Sequence, residues 1–219
     1  CYDIRDSSEA FARILAAGLN SEGVATRDIG LGGTEMVYHA AGQAGMGGGI
    51  MITASHNPVG DNGLKMVRAE ARPISADDGL QDIERETRAW LNEQAGLRGQ
   101  LDNYAGEALS DGSLYQPDPQ LHQRLDLFAD YVATVRRFVD IAAISAGLSA
   151  RRASGRPLKV VVNGGNGCAG PVFDAIAEGL DWDVTRLFHT PDGQFPNGVP
   201  NPMLARCQEQ TAEAVRAAG

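Results

Sequence analysis

Gly47-Gly48-Gly49-Ile50-Met51-Ile52-Thr53-Ala54-Ser55-His56-Asn57-Pro58 is the stretch on which the fold turns. Ile50 to Ile52 is apolar without polar alternation, which predicts a strand buried on both faces. It gives way at once to a polar loop, Thr53 to Gly63. Asn57-Pro58 and Asn62-Gly63 are turn formers, so the chain folds back into a second short strand, Leu64 to Val67. A serine launched from the carboxyl end of a buried strand sits where layered α/β proteins place ligands.

Outward from this hairpin the pattern alternates. Residues 7–22 predict a helix capped by Ser7 or Ser8, with Phe11, Ile14, Leu15, Gly18 and Leu19 on one face and Gly23 as its stop. Val24 to Ile29 predicts a strand, and Thr34 caps a helix running to Gln43. Ser75 and Asp78 open a charged helix that ends near Trp90. Residues 91–119 lose periodicity and are expected to form a surface connection. A helix is expected over 121–142, with Leu125, Phe128, Val132, Val135 and Val139 on one face. The small, basic stretch 147–157 suits an inter-domain linker. A second unit follows: strand Leu158–Val162, glycine-rich turn Asn163–Gly170, helix Val172–Leu180, strand Val184–Leu187, a Pro/Gly/Asn loop Pro191–Pro202, and a last helix to about Arg216. The expected class is α/β, a layered mixed sheet between helices. A first domain spans 1–145, and a second begins at 156 and runs to 219.

Bulk properties exclude several classes. The 219 residues suffice for a real core without disulfide or metal staples. A net charge of −9 argues against a sequence-independent nucleic-acid binder. It still permits an anionic small ligand held by a local cluster of cations and backbone amides. The three cysteines are far apart and lack metal-ligand spacing, which suits free thiols in a reducing compartment. No stretch approaches the length of a membrane span and no secretory signal opens the chain, so a cytoplasmic location is expected.

The loop carries the chemistry. His56 adjoins Ser55 and could orient it or exchange a proton. Lys65 lies beyond the Asn-Gly turn, so folding back brings its ammonium toward Ser55. A phosphate on Ser55 would add nearly two negative charges and three acceptor oxygens, which Lys65, His56 and Arg5 could answer. Other candidates read as bland. Asn163–Gly170 lacks the Gly-Lys-Ser/Thr end of a nucleotide-phosphate loop. His39 and His122 have no partners at metal-ligand spacing. Asp82 to Arg88 reads as a solvated helix face, and Arg136-Arg137 as a surface position.

Thr53-Ala54-Ser55-His56-Asn57-Pro58, followed by Asn62-Gly63-Leu64-Lys65, resembles the active-serine signature of the α-D-phosphohexomutases. Further blocks are similar. Tyr2-Asp3-Ile4-Arg5 resembles the family's amino-terminal Tyr-Asp-Ile-Arg-Gly. Asp28-Ile29-Gly30 through Gly33-Thr34-Glu35 resembles its pre-serine segment. Val67-Arg68 through Ala71-Arg72-Pro73-Ile74-Ser75 is similar to the phosphomannomutase branch. Val162 to Pro171 and Pro191 to Pro202 resemble the opening and a later loop of the family's second domain.

The resemblance implies a mutase that interconverts mannose 6-phosphate and mannose 1-phosphate, with glucose phosphates as a further option, through a hexose 1,6-bisphosphate. Phosphoglucomutase and phosphoglucosamine mutase are the rival activities, and a non-catalytic folded or partner-binding module is the rival class. Ser55 is implied as the phosphate carrier. Lys65 and His56 are implied as acid/base groups and Arg5 as a stabiliser of the transferred phosphate. Tyr2, Asn57 and Arg68 are implied as substrate-binding residues. Mg²⁺ is the implied cofactor, bound through the Ser55 phosphate and by aspartates expected beyond this chain. The implied partners are hexose phosphates, with no nucleic acid and no membrane. In the resemblance, about thirty residues, roughly one strand–helix–strand unit, are expected to be missing between Arg5 and Asp6.

Overall fold

The computed structural model describes residues 1–93 and 115–219. The connection expected over 91–119 therefore lies largely outside the described residues. Helix α1, Ser8–Ser21, leads to strand β1, Thr26–Asp28, and helix α2, Thr34–Ala41. Strands β2, Gly48–Ile52, and β3, Leu64–Arg68, form the hairpin that carries the serine loop. They pair antiparallel with Met51 opposite Lys65 and Ile52 opposite Leu64. A 3₁₀ turn, Ala69–Ala71, and helix α3, Leu80–Glu93, follow. Arg85 pairs with Asp82 and Arg88 with Glu84 on α3, a helix with no buried residue.

The second half begins with strand β4, His122–Arg124, which pairs parallel with β1. Helices α4, Phe128–Arg137, and α5, Ile141–Ala153, come next. Strand β5, Lys159–Asn163, helix α6, Ala169–Ala177, and strand β6, Asp183–Leu187, form a βαβ unit with the two strands parallel. Helix α7, Ala205–Ala218, closes the chain. The α/β class holds.

Two local expectations need correction. The single helix over 121–142 is divided: its first residues pair with β1, and a break at Phe138–Asp140 separates α4 from α5. The Asp140 carboxylate caps α5 by accepting from the Ala143 amide at 2.9 Å. The stretch 147–157 is mostly helix, because α5 continues through Ala153 and leaves only a short connection to β5. Small residues flanking arginines look like a linker, yet alanine is also the best helix former.

The core joins α2, β2, β3 and α4. Met36, Val37, Met51, Val67, Leu127 and Tyr131 form one buried cluster. Helix α2 lies close on β2 because Gly49 has no side chain there; a Cβ at that position would meet Val37 Cγ1 at 2.6 Å. Cys1–Asp3 runs beside β2, joined to it through an isolated bridge at Tyr2. Tyr2 bridges Ile52 on one side and Leu31 on the other, both parallel. Ile52 N–H donates to Cys1 O at 2.9 Å and Asp3 N–H to Ile52 O at 3.0 Å. From Arg5 one turn enters α1, with Ser8 N–H donating to Arg5 O at 2.9 Å.

Met51 is 2% exposed at the centre of this cluster. Met51→Ala is expected to cost about 2–5 kcal/mol of folding stability. Met203, 79% exposed, is the control, and its alanine variant should stay within about 0.5 kcal/mol of the parent. Urea unfolding monitored by circular dichroism measures both.

Candidate active site

The serine loop is built around one buried cation. Arg5 is 3% exposed, and its guanidinium reaches the loop's carbonyl oxygens from below. Nη1 donates to Pro58 O at 2.6 Å, Asp61 O at 3.1 Å and Val59 O at 3.3 Å. Nη2 donates to Asn57 O at 2.8 Å and Ser55 O at 3.0 Å. The planar fork of arginine suits this, because one rigid group can serve several acceptors. Nε lies 3.3 Å from Asp3 Oδ2, an ion pair without hydrogen-bond alignment.

Asp3 organises the remaining anchors. Its Oδ1 accepts from the Arg5 amide at 3.0 Å and from Ser8 Oγ at 2.5 Å. Its Oδ2 accepts from Thr53 Oγ1 at 2.7 Å. Thr53 Oγ1 in turn accepts from the Ser55 amide at 2.8 Å. Asn62 Nδ2 donates to Ser7 Oγ and Ser8 Oγ, each at 2.9 Å, and Thr53 N–H closes the loop on Gly63 O at 2.9 Å. Ser55 is thereby held at φ 55°, in the left-handed region that non-glycine residues seldom occupy. Such strain survives only where neighbours over-determine it, and it concentrates at functional positions.

Ser55 and Lys65 line one cavity of about 220 Å³. The amino-terminal turns of two helices line it as well, α2 at Gly33 and Thr34 and α6 at Cys168 and Ala169. Helix amino termini carry a partial positive charge that favours anions. The cavity is smaller than the roughly 300–1,000 Å³ of ordinary small-molecule pockets. Its size suits a phosphate group, and a whole sugar needs more wall than these residues give.

The expected site residues separate into groups. Ser55 and Lys65 line the same cavity. His56 and Asn57 are exposed on the same loop, outside the cavity lining. Arg5 lies under the loop, with both terminal nitrogens bonded to backbone, so it holds the serine in place and is not free to face a transferred phosphate. Tyr2 lines a different and larger cavity, about 890 Å³, between α1, β1 and β2. Its hydroxyl pKa is raised by burial and by nearby Glu9 and Asp28, against the opposing effect of Arg124. Arg68 sits at the far end of β3, paired with Asp78 at 2.9 Å. Among the described residues no group of three His, Cys, Asp or Glu could hold a metal ion. Both Asp3 oxygens are already engaged, so the residues present do not by themselves fit Mg²⁺.

Sequence reasoning missed Asp3, Thr53 and Cys168 as parts of this site. Cys168 is half-buried at the head of α6. Burial, with help from the Asp3 charge, pushes its thiol up to about 11 against a hydrogen bond from the Ile4 backbone. Arg136, read as a surface position, donates to Ile176 O at 2.6 Å and ties α4 to the end of α6.

A family model described as phosphoglucomutase/phosphomannomutase, alpha/beta/alpha domain I, matches residues 1–94. The model for alpha/beta/alpha domain II of the same family matches residues 129–219. A phosphomannomutase from Escherichia coli is 39% identical over 221 aligned residues, covering 98% of this chain and 42% of that protein. A protein named phosphohexose mutases from Xanthomonas campestris pv. campestris is 39% identical over 218 aligned residues, covering 100% of this chain and 42% of its own length. A crystal structure of a phosphoglucomutase/phosphomannomutase family protein from Burkholderia thailandensis superposes with a TM-score of 0.67 at 25% identity, covering 99% of this chain and 41% of that one. The chain thus spans well under half the length of these relatives.

The Xanthomonas alignment is no longer than this chain, which leaves no room for an extra unit of about thirty residues after Arg5 in that relative. The expected missing unit between Arg5 and Asp6 is therefore corrected. Cys1–Arg5 leads directly into α1, with Ser8 N–H donating to Arg5 O.

Alkylation of Cys168 by iodoacetamide in the native chain is expected to be slow at pH 8 and to keep rising toward pH 11, because only the thiolate reacts. After unfolding in urea the same cysteine should titrate near the usual value of about 8.5. Peptide mapping by mass spectrometry reads both profiles. A native midpoint at the unfolded value would contradict the placement of Cys168.

Proposed function

The chain belongs to the phosphoglucomutase/phosphomannomutase family, and on that premise we propose that it supplies the phosphoserine-bearing part of a sugar-phosphate mutase. Ser55 is the residue that carries and returns the phosphate. The observation that carries this reading is the anchoring of Ser55 at a strained, exposed turn beside Lys65, in a cavity that two helix amino termini line.

In this reading the Ser55 phosphate passes to the free hydroxyl of a hexose monophosphate. The phosphorus–Ser55 oxygen bond breaks as the bond to the sugar oxygen forms. The sugar hydroxyl gives up its proton, and the departing Ser55 oxygen gains one. The product, a hexose 1,6-bisphosphate, returns its other phosphate to Ser55 after it has turned round. Mannose phosphates fit the names of the relatives, and glucose or glucosamine phosphates are the alternatives. Lys65 is the group best placed to neutralise the transferred charge and to exchange a proton. His56 is the second acid/base group, exposed on the same loop. Arg5 acts through the loop, by fixing where Ser55 stands. Asn57 contributes its backbone carbonyl to Arg5. Tyr2 and Arg68 are left outside the site.

A divalent cation such as Mg²⁺ would neutralise phosphate charge, and its carboxylate ligands must come from residues other than those described. The two family domains, one ending before β4 and the other starting in α4, share the cavity between them. No described helix is long and apolar enough to cross a membrane. Together with free thiols and phosphorylated sugar substrates this suits the cytoplasm.

The intact mass of the protein purified from cells tests the reading. It should exceed the sequence mass by one phosphate, which phosphatase removes. Ser55→Ala should lack that phosphate and lose nearly all mutase turnover. Stoichiometric phosphate on another residue, or its persistence in Ser55→Ala, would contradict the reading.

A further inference from the structure

The N–H bonds of a guanidinium lie in its plane, so its two faces are left for other contacts. The Arg5 guanidinium carbon lies over an aromatic ring of the second domain. The Phe195 ring centroid lies 5.5 Å from the guanidinium carbon, within the range of a cation–π contact. Phe195 is 6% exposed, and it lines the Ser55 cavity.

The residues around it point the same way. Gly193 lies flush against Ile4 O and Asp6, where a Cβ would collide. Gln194 Nε2 donates to Asp6 Oδ2. Phe195 itself is held at φ 45°, an uncommon conformation for an aromatic residue. Its turn is closed by Phe195 N–H donating to Asp192 O at 3.0 Å and by Gly198 N–H donating to Phe195 O at 2.7 Å. The buried Asn166 ties this loop back to the β5–α6 turn. Its Nδ2 donates to Thr190 O at 3.0 Å, its carbonyl accepts from the Asp192 amide at 2.8 Å, and its Oδ1 accepts from Asn197 Nδ2 at 2.9 Å. Three consecutive residues of the second domain therefore bear on residues 4–6 of the first.

We propose that Phe195 is a positioning residue for phosphoryl transfer: it clamps the face of Arg5 and so makes the second domain part of what fixes the Ser55 loop. The aromatic face is the feature that matters. A strained backbone is retained to deliver a ring onto a cation, where an aliphatic side chain would fill the space without the electrostatic attraction. Any shift of the 191–202 loop relative to the first domain is then felt at Ser55 through Arg5.

The role in phosphoryl transfer rests on Ser55 as the phosphate carrier, whereas the experiment reads the loop and not turnover. Amide hydrogen–deuterium exchange is compared for the 219-residue chain, Phe195→Leu and Phe195→Tyr. In Phe195→Leu the hydrogen-bonded amides of Ser55, Asn57 and Asp61 should exchange at least about tenfold faster, with β5 and β6 unchanged. Phe195→Tyr keeps the ring and should restore exchange to within about twofold of the parent. Unchanged loop amides in Phe195→Leu overturn the proposal. Equal acceleration in both variants overturns it too, because the ring would then confer nothing. So does acceleration that spreads equally through β5 and β6, because Phe195 would then be serving the second domain's own fold. Failure to find phosphate on Ser55 would remove the phosphoserine reading and leave these exchange rates as they are.

Discussion

The buried guanidinium of Arg5 is the constraint from which the rest follows. A charge removed from water is tolerated only when paired and hydrogen-bonded. Here one carboxylate, Asp3, and five loop carbonyls meet that demand. The demand works in both directions. A polar loop of eleven residues, Thr53 to Gly63, has few apolar contacts to fix it, and its carbonyls would otherwise face water in many arrangements. Arg5 gives them one common partner, and the loop acquires one path. The left-handed turn at Ser55 is a consequence of that path.

Two domains then meet at the same cation. Asp3, itself held by Thr53 and Ser8, pairs with it from within the first domain, and the Phe195 ring lies against it from the second. The cavity beside Ser55 inherits this joint construction, with Lys65 and α2 on one side and Cys168 and the start of α6 on the other. Such a site suits phosphoryl transfer, in which the protein's contribution is mainly placement and charge neutralisation. It is also compatible with a chain whose net charge is negative, since one lysine and two helix amino termini line the cavity locally.

Much of this was legible in the sequence. Ile50 to Ile52 announced a buried strand by composition, and two turn formers announced the return into β3. The alternation around Val160–Val162 and Val184–Leu187 announced the second unit. The family was legible from the loop's string of residues. Other features were not, for physical reasons. Arg5 stands some fifty positions from the carbonyls it binds, and a bond to backbone leaves no trace in the partner's residue type. β4 is three residues long and exists because β1 offers an edge, a tertiary cause invisible in periodicity. The break between α4 and α5 was hidden by an apolar stripe that continues across it, with Asp140 the one local signal. Phe195 stood as a lone aromatic in a Pro/Gly/Asn loop, which marks an anchor without saying what it anchors to. Tyr2 and Arg68 belong to matching blocks, yet the fold sets Tyr2 against the larger cavity and pairs Arg68 with Asp78.

A crystal structure of Arg5→Lys tests the central claim most directly. Lysine keeps the charge that pairs with Asp3, yet its single ammonium cannot serve five carbonyls spread along the loop. The account predicts that β2, β3 and the Met51 cluster superpose on the parent. Residues 54–61 should leave their path, and Ser55 should relax out of positive φ. A lysine variant with the same loop path and Ser55 still in the left-handed region would contradict it.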